Sequence, residues 1–524
     1  MTYGEIWLVV GLFSVSIPLV ALAKRADIPY PVVLVLGGLV LGFIPGLPQI
    51  KLDPNLVLVL FLPPLLYWEA ITAPTDVMRA NAGQIWSLAI GLVAATTLVV
   101  AVVAHATIAN LAWPMAFVLG AIVAPTDELA SAPVLERLKM PRHLIAIVEG
   151  ESLLNDASSL ILYAAAVTAA VSGGFQFSGV ALHFAIAAFG GVALGFVVGR
   201  LAIEGWRRIT DTQLQGVISF NLPYLAYILA DRLSLSGVLA VVYAGVYANR
   251  FTPIVMTPAA RLQLTGFWNT LVFLANALLF LLVGLQLHDL AHAVLIAYSW
   301  QTVLWYTFVV NAAVVGTRFI WFMAQEYLPV IGGASEHPSG DWRHALISAW
   351  SGLRGAVSLA AALAIPVAIA SGAPLGHRNL VIFLTFTVIL VTLVGGGLTL
   401  PSLVRAIEPS SRDTEGEEDM RRGLIAMSDA ALAKLKELEH QGGLEANEVA
   451  MLRRRYTHRR AHVDGHPEEE RAAVEAERQL LEAERQALTE LRERREIDNT
   501  VLRKLVRTLD ISEEELTHRS ARTG

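Results

Sequence analysis

Glu149-Gly150-Glu151-Ser152-Leu153-Leu154-Asn155-Asp156 sits inside an apolar segment of membrane-spanning length. Arg142 and His143 mark the start of that segment, and apolar sequence resumes from Leu160 through Val171. At 1.5 Å rise per residue, Asp156 lies roughly 20 Å in from the start, well within a hydrocarbon layer about 30 Å thick. An ionisable side chain at that depth is expensive unless it is paired or meets a water-filled cavity. A second carboxylate is buried the same way in Gly120-Ala-Ile-Val-Ala-Pro-Thr-Asp127. Two carboxylates that a bilayer would reject point to an ion pathway.

Composition agrees. Of 524 residues, 55% are hydrophobic and 16% charged, and the mean hydropathy is +0.56. A soluble chain carries about 25% charged residues, so most of this one belongs in lipid. It has no cysteine, which removes disulfides, thiol nucleophiles and thiolate metal sites from consideration. The net charge of −6 includes no separate basic patch of groove size, so nucleic acid is not an expected partner. The first apolar run, Ile6 to Ala23, ends in Lys24-Arg25 without a convincing small-residue cleavage site, and reads as a retained span.

Apolar segments of spanning length recur at about 4–23, 30–46, 55–71, 85–109, 112–137, 143–170, 178–204, 212–231, 235–249, 262–287, 293–325, 343–370 and 378–406. The expected fold class is therefore all-α: a polytopic membrane protein of about thirteen transmembrane helices. When the spans alternate, Lys24-Arg25, Arg79, Arg137, Lys139, Arg142, Arg207-Arg208, Arg250, Arg261, Arg343 and Arg405 fall on one side. Lys51, Arg232 and Arg378 are the exceptions. Basic loops face the cytoplasm, which places the N-terminus outside and the C-terminus inside. After Glu408-Pro409 the composition turns to Glu, Arg, Lys, Ala and Leu. This divides the chain into a transmembrane domain, 1–408, and a charged helical cytoplasmic tail, 409–524. Breaks between tail helices are expected at Gly442-Gly443 and Asp464-Gly-His-Pro467. Stability or dimer contact is the preferred role of the tail over ligand-binding regulation.

On a helix Ser152 and Asp156 share a face, as do Glu151 and Asn155. Hydroxyl, amide and carboxylate oxygens can together replace the water around an alkali cation. Taken singly, Ser152 or Asn155 could equally be hydrogen-bond glue between helices. Pro125 removes a backbone donor in mid-span, and broken helices at membrane depth are tolerated where they line a cavity. Ser351-Gly-Leu-Arg354-Gly-Ala-Val-Ser358 is a comparable glycine-interrupted break in the twelfth span. Its position mirrors the fifth span, as an inverted repeat about the seventh helix requires. Arg318, late in the eleventh span, has two readings. It either snorkels to the surface or neutralises a carboxylate in the bundle, Glu151 being the candidate and pairing the preferred reading. Glu69, after Pro63-Pro64, either lines the cytoplasmic approach or sits at the interface. Glu128 and Glu149 read as vestibule or near-surface charges rather than direct ligands. His105 and His183 lack metal-ligand spacing and read as packed or interfacial rather than catalytic. No Walker loop or serine-histidine motif is visible, so neither ATP drive nor hydrolysis is indicated and the chain does not read as an enzyme.

Phe-Leu-Pro-Pro-Leu-Leu at 61–66, Ala-Pro-Thr-Asp at 124–127, Gly-Glu-Ser-Leu-Leu-Asn-Asp at 150–156 and Gly-Leu-Arg-Gly-Ala-Val at 352–357 together resemble the monovalent cation:proton antiporters of the sodium/proton exchanger type. The resemblance covers nearly all of residues 1–406. It implies a homodimer, each protomer combining a dimerisation domain with a six-helix transport core that moves like an elevator. It further implies that Asp156 binds cation or proton, with Asp127, Ser152 and the Thr126 backbone near the sodium ion. Glu151 is then paired with Arg318, and Arg354 lies at the second broken helix. Asn155 before Asp156 is the pattern of the electroneutral branch. The resulting expectation is one-for-one exchange of cytoplasmic sodium for external protons across the inner (plasma) membrane, serving pH and sodium homeostasis without a cofactor. Lithium or potassium as the cation remains open, potassium/proton exchange being the alternative. A channel or a membrane sensor is the reading from another class.

Overall fold

The computed structural model describes residues 3–44, 54–128, 131–172, 177–327, 342–369, 372–407, 414–441, 445–464 and 467–494, with short stretches beyond. Two compact units divide the chain, Met1–Arg412 and Asp413–Gly524. Among the described residues the elements are helical, apart from one isolated bridge between Ala368 and Pro374. A helix satisfies its own backbone, which is what a segment inside lipid must do.

The first unit runs α1 (Tyr3–Ala26), α2 (Tyr30–Gly42), α3 (Pro54–Thr72), α4 (Thr75–Ala80), α5 (Ala82–Thr107), α6 (Trp113–Val123), α7 (Ala132–Arg137) and α8 (Arg142–Ser172). It continues with α9 (Phe177–Arg208), α10 (Thr212–Arg232), α11 (Gly237–Val255), α12 (Pro258–Ala297), α13 (Trp300–Tyr327), α14 (Trp342–Trp350), α15 (Ala356–Leu363) and α16 (Arg378–Ile407). Among the described residues, seven helices are long and apolar enough to cross a bilayer: α5, α8, α9, α11, α12, α13 and α16. Three shorter apolar helices lie at Tyr30–Gly42, Val59–Thr72 and Trp113–Val123.

Several helix starts are written locally. Asp211, Ser236 and Thr257 each cap the following helix, accepting a hydrogen bond from the backbone N–H three residues on. Pro258 then occupies the first turn of α12, where its missing N–H costs nothing. One boundary departs from expectation. The break expected between the segments 262–287 and 293–325 is helical, because Leu290–Ala297 continues the apolar register and α12 ends only where Tyr298 turns extended. The next helix accordingly begins at Trp300, with Ser299 Oγ accepting from Thr302 N at 3.3 Å. Single π-helical stretches interrupt α5 at Ser87–Leu92 and α16 at Val391–Gly396.

Packing sorts these helices into two bundles. In one, α2 lies along α12, α9 along α11, and α11 against α3, with α1 and α10 completing it. A Cβ on Gly38 would run into the backbone of Leu281, and one on Gly284 into that of Val35, so α2 and α12 approach backbone to backbone. In the other, α5 packs on α6 and α13, α6 on α8, and α16 on α6, α13 and α15. Along the seam α12 meets α15 and α16, and α3 meets α15. Leu66, Tyr67, Val241, Phe280, Val381 and Phe386 belong to one continuous apolar core that crosses that seam.

In the second unit, α17 (Thr414–His440), α18 (Ala446–Asp464) and α19 (Pro467–Glu493) follow in order, and α17 packs on α18. Helices therefore end on both sides of the expected breaks, although Gly442-Gly443 and Gly465-His466 themselves lie outside the described residues.

Candidate functional site

Two interrupted helices build the site. Helix α6 stops at Val123, ahead of Pro125, and residues 125–128 are non-helical before α7 begins at Ala132. Helix α14 stops at Trp350, and Gly352-Leu353-Arg354-Gly355 runs non-helical into α15. The two unwound segments cross and satisfy each other: Asp127 N–H donates to the Leu353 carbonyl at 2.7 Å. Gly355 lies at the crossing in extended backbone, φ −140° and ψ −147°. A Cβ there would overlap the Asp127 carboxylate, so only glycine lets that side chain lie across the second break.

Helix α8 supplies the third component. Ser152 Oγ donates to the Thr126 carbonyl at 3.0 Å, and Asn155 Nδ2 donates to Thr126 Oγ1 at 2.8 Å. Thr126 Oγ1 in turn donates to Glu151 Oε1 at 3.2 Å. The first break is thus pinned to α8 through one threonine.

Arg318 reaches Glu151 with both terminal nitrogens; Nη1 binds Oε1, and Nη2 lies 2.9 Å from Oε2. Of the two readings for Arg318, pairing is the one found: Arg318 is 3% exposed and Glu151 1%. Its Nε and Nη2 also donate to the carbonyls of Ala349 (3.0 Å) and Ser348 (3.1 Å), and its Cζ lies 4.8 Å from the Phe322 ring centre. Those carbonyls belong to the last turn of α14, where helix acceptors lack partners and a cation is favoured. One guanidinium therefore ties the second break to the helix that holds the first.

Between the bundles lies a small cleft. Pro125, Thr126, Asp127, Ser152 and Asp156 form one wall, with Gly355, Val357 and Ser358 from the second break. The opposite bundle contributes Leu65, Glu69 and Asn276. Asp156 is buried, and no described residue donates a hydrogen bond to its carboxylate. The wall thus offers carboxylate and hydroxyl oxygens suited to a small hard cation.

Of the residues singled out by sequence, Asp156, Asp127, Ser152, Thr126 and Glu69 come together in this cleft. Glu69 is part of the wall itself, with Oε2 buried and without a hydrogen-bond partner. Asn155 is not: its amide turns to Thr126 behind the wall, and its Oδ1 is unpartnered. Arg354 is likewise behind the wall and 1% exposed. Its backbone N–H donates to Thr392 Oγ1 at 3.2 Å in the π-helical stretch of α16, and its Nε and Nη1 have no partner. Glu128 and Glu149 are half-buried. His105 stacks on Trp113 at 4.1 Å and hydrogen-bonds the Leu111 carbonyl through Nδ1 at 2.7 Å, away from this cleft. The side chain of His183 lies outside the described residues.

Sequence reading missed Asn276. It is fully buried in the middle of α12, and among the described residues neither Nδ2 nor Oδ1 has a hydrogen-bond partner. Leaving such a group unpaired costs about 1–3 kcal/mol. A lone amide in Leu271-Val-Phe-Leu-Ala-Asn276-Ala-Leu-Leu-Phe was the available signal, by the argument that singled out Asp156.

Residues 11–406 match the family model for the transmembrane sodium/hydrogen exchanger. An uncharacterised sodium/proton exchanger of Mycobacterium tuberculosis is 34% identical over 98% of this chain and 98% of its own length. A sodium, potassium, lithium and rubidium/proton antiporter of Bacillus pumilus is 34% identical over 72% of this chain and 58% of its own length. The solved sodium/proton antiporter MjNhaP1 of Methanocaldococcus jannaschii shares the fold, with a TM-score of 0.60 at 18% identity over 77% of this chain and 98% of that one. The chain belongs to the transmembrane sodium/hydrogen exchanger family, and so is a cation/proton antiporter, a secondary transporter rather than an enzyme.

Proposed function

We propose that the chain exchanges cytoplasmic sodium for external protons, one for one and without net charge movement, at Asp156. The observation that carries this reading is the cleft in which Asp156, Asp127, Ser152 and Thr126 converge where two broken helices cross. Asp156 alternates between protonated and cation-bound forms, so proton and cation compete for one carboxylate. Asp127, Ser152 and the Thr126 backbone complete the oxygen shell around the sodium ion. Asn155 keeps the neighbouring position neutral, leaving one exchangeable charge. An empty, charged Asp156 is costly to carry through an apolar barrier, and that cost couples the two fluxes.

The cleft lies between two bundles, which supports alternating access by an elevator-like movement of one against the other. In this reading the thirteen spans include inverted repeats built around the two breaks, and the bundle of α1–α3 and α9–α12 forms a homodimer. The protein sits in the plasma membrane with its N-terminus outside and its C-terminus, with the tail, in the cytoplasm. There it serves pH and sodium homeostasis and needs no cofactor.

Potassium/proton exchange is the second reading, favoured by the Bacillus relative whose name includes potassium. The test is proton flux in proteoliposomes on adding sodium, lithium and potassium in turn. Voltage is then clamped at zero and at about −100 mV, where one net charge per cycle would feel about 2.3 kcal/mol. The expected result is saturable sodium-driven proton movement whose equilibrium position ignores voltage. A voltage-dependent equilibrium overturns electroneutrality, and proton movement with potassium alone selects the second reading. The clamp uses a permeant ion first shown not to be a substrate.

A further inference from the structure

Asn276 lines the same cleft as Asp156 from the opposite bundle, on the continuous helix α12 rather than on a broken one. Its amide is fully buried, lines the cleft, and has both polar atoms unpartnered among the described residues. A buried polar group of this kind persists where something else meets it. Packing alone does not require an amide here, since leucine has the same branched outline of heavy atoms and would leave no polar atom unpaired. The surrounding residues of α12 are apolar and well packed: Ala277, Leu279, Phe280 and Leu281 are all buried. Among the described residues, what the amide opens onto is the cleft.

From this geometry we infer that Asn276 is a cation-binding residue borne by the opposite bundle, its Oδ1 contributing a neutral oxygen to the ion held at Asp156. This rests on the antiport reading of the cleft. A neutral oxygen adds coordination without adding charge, so the amide strengthens cation binding and leaves the one-for-one exchange intact. Because Asn276 and Asp156 belong to different bundles, any movement of one bundle against the other separates them. The ion therefore has this ligand in one arrangement and lacks it in the other, and Asn276 sets affinity on one side of the membrane only.

The test compares wild type, Asn276→Leu, Asn276→Ser and Asp156→Asn as full chains. Each is purified, and its melting temperature is measured with and without saturating sodium chloride, choline chloride serving as the ionic-strength control. Proton flux is then measured in oriented proteoliposomes with sodium on either face. Asn276→Leu is expected to melt at or above the wild-type temperature without sodium. Its sodium-induced stabilisation should shrink, and its KM for sodium should rise about tenfold, a change of about 1.4 kcal/mol, on one face and little on the other. Asn276→Ser, which keeps an oxygen, should recover part of that loss.

A lower melting temperature for Asn276→Leu without sodium would make the amide structural and overturn the inference. So would an unchanged KM on both faces, or an equal rise on both. If wild type shows neither sodium-induced stabilisation nor sodium-driven flux, and potassium and lithium do no better, the antiport reading itself fails. A wild type that responds beside an Asn276→Leu variant that responds equally refutes only the role of Asn276.

Discussion

The Glu151–Arg318 pair gives the sharpest test of how the site is held together. Glu151→Gln leaves a guanidinium that is 3% exposed with two backbone carbonyls and one amide oxygen but no counter-charge. Arg318→Met leaves a carboxylate that is 1% exposed with only the Thr126 hydroxyl donating to it, and it also uncaps the last turn of α14. Breaking a buried pair from either side costs about 3–5 kcal/mol, because the surviving charge is stranded. Removing both charges strands neither, so the double variant should lose much less than the sum, with a coupling energy of up to about 3 kcal/mol.

The structure adds an independent arm. A Cβ on Gly352 would overlap the Arg318 guanidinium, so Gly352→Ala should push Arg318 off Glu151 and cost nearly as much as Arg318→Met. Made on top of Arg318→Met it should cost little, since the group it displaces is gone. Equilibrium unfolding of the purified full chain in mixed detergent and SDS micelles, with a matched proton-flux assay, reads all five variants. Strictly additive losses in both cycles would refute the reasoning, because they would mean that the three residues do not act as one contact.

Three further outcomes follow from the same geometry. Asp156→Asn should abolish cation-coupled proton flux while melting no lower than wild type, since nothing in the described structure pairs with that carboxylate; normal coupled flux would remove Asp156 from the mechanism. Gly355→Ala should abolish transport by displacing Asp127, whereas Gly316→Ala, whose Cβ would meet nothing within 4 Å, should keep full activity and stabilise α13 by about 0.5–1 kcal/mol; flux and unfolding measurements on the two, side by side, check this. A chain ending after residue 409 should retain sodium-driven proton flux in proteoliposomes, and complete loss despite correct insertion would place part of the machinery in the tail.

The sequence alone carried the membrane character, both breaks and the central carboxylate, because each depends on one-dimensional quantities. Hydropathy over about twenty residues determines whether a segment can lie in lipid. Pro125 cannot donate to a helix wherever it is placed, and Gly352 and Gly355 weaken helix at the second break. A carboxylate about 20 Å inside an apolar run is anomalous before any neighbour is known. Helical spacing also put Ser152 with Asp156 and Glu151 with Asn155, and the structure keeps the first pair on the cleft wall and turns the second pair away from it.

Spacing fixes the face of a helix but not what lies opposite. The Asp127–Leu353 backbone hydrogen bond joins two breaks far apart in the chain, and Glu151 meets Arg318 across 167 positions. Whether Arg318 snorkelled or paired was undecidable from its own helix, since both choices place the same residue near the same end. Tertiary packing settled it by bringing a carboxylate and two carbonyls of a helix end within reach of one guanidinium. Asn276 and Glu69 were placed on the cleft wall in the same way. Each is a single polar residue in an apolar span, which locally signals only that some partner is required. Which partner depends on how α3 and α12 pack against the two broken helices, and that is a property of the assembled bundles, absent from any one segment.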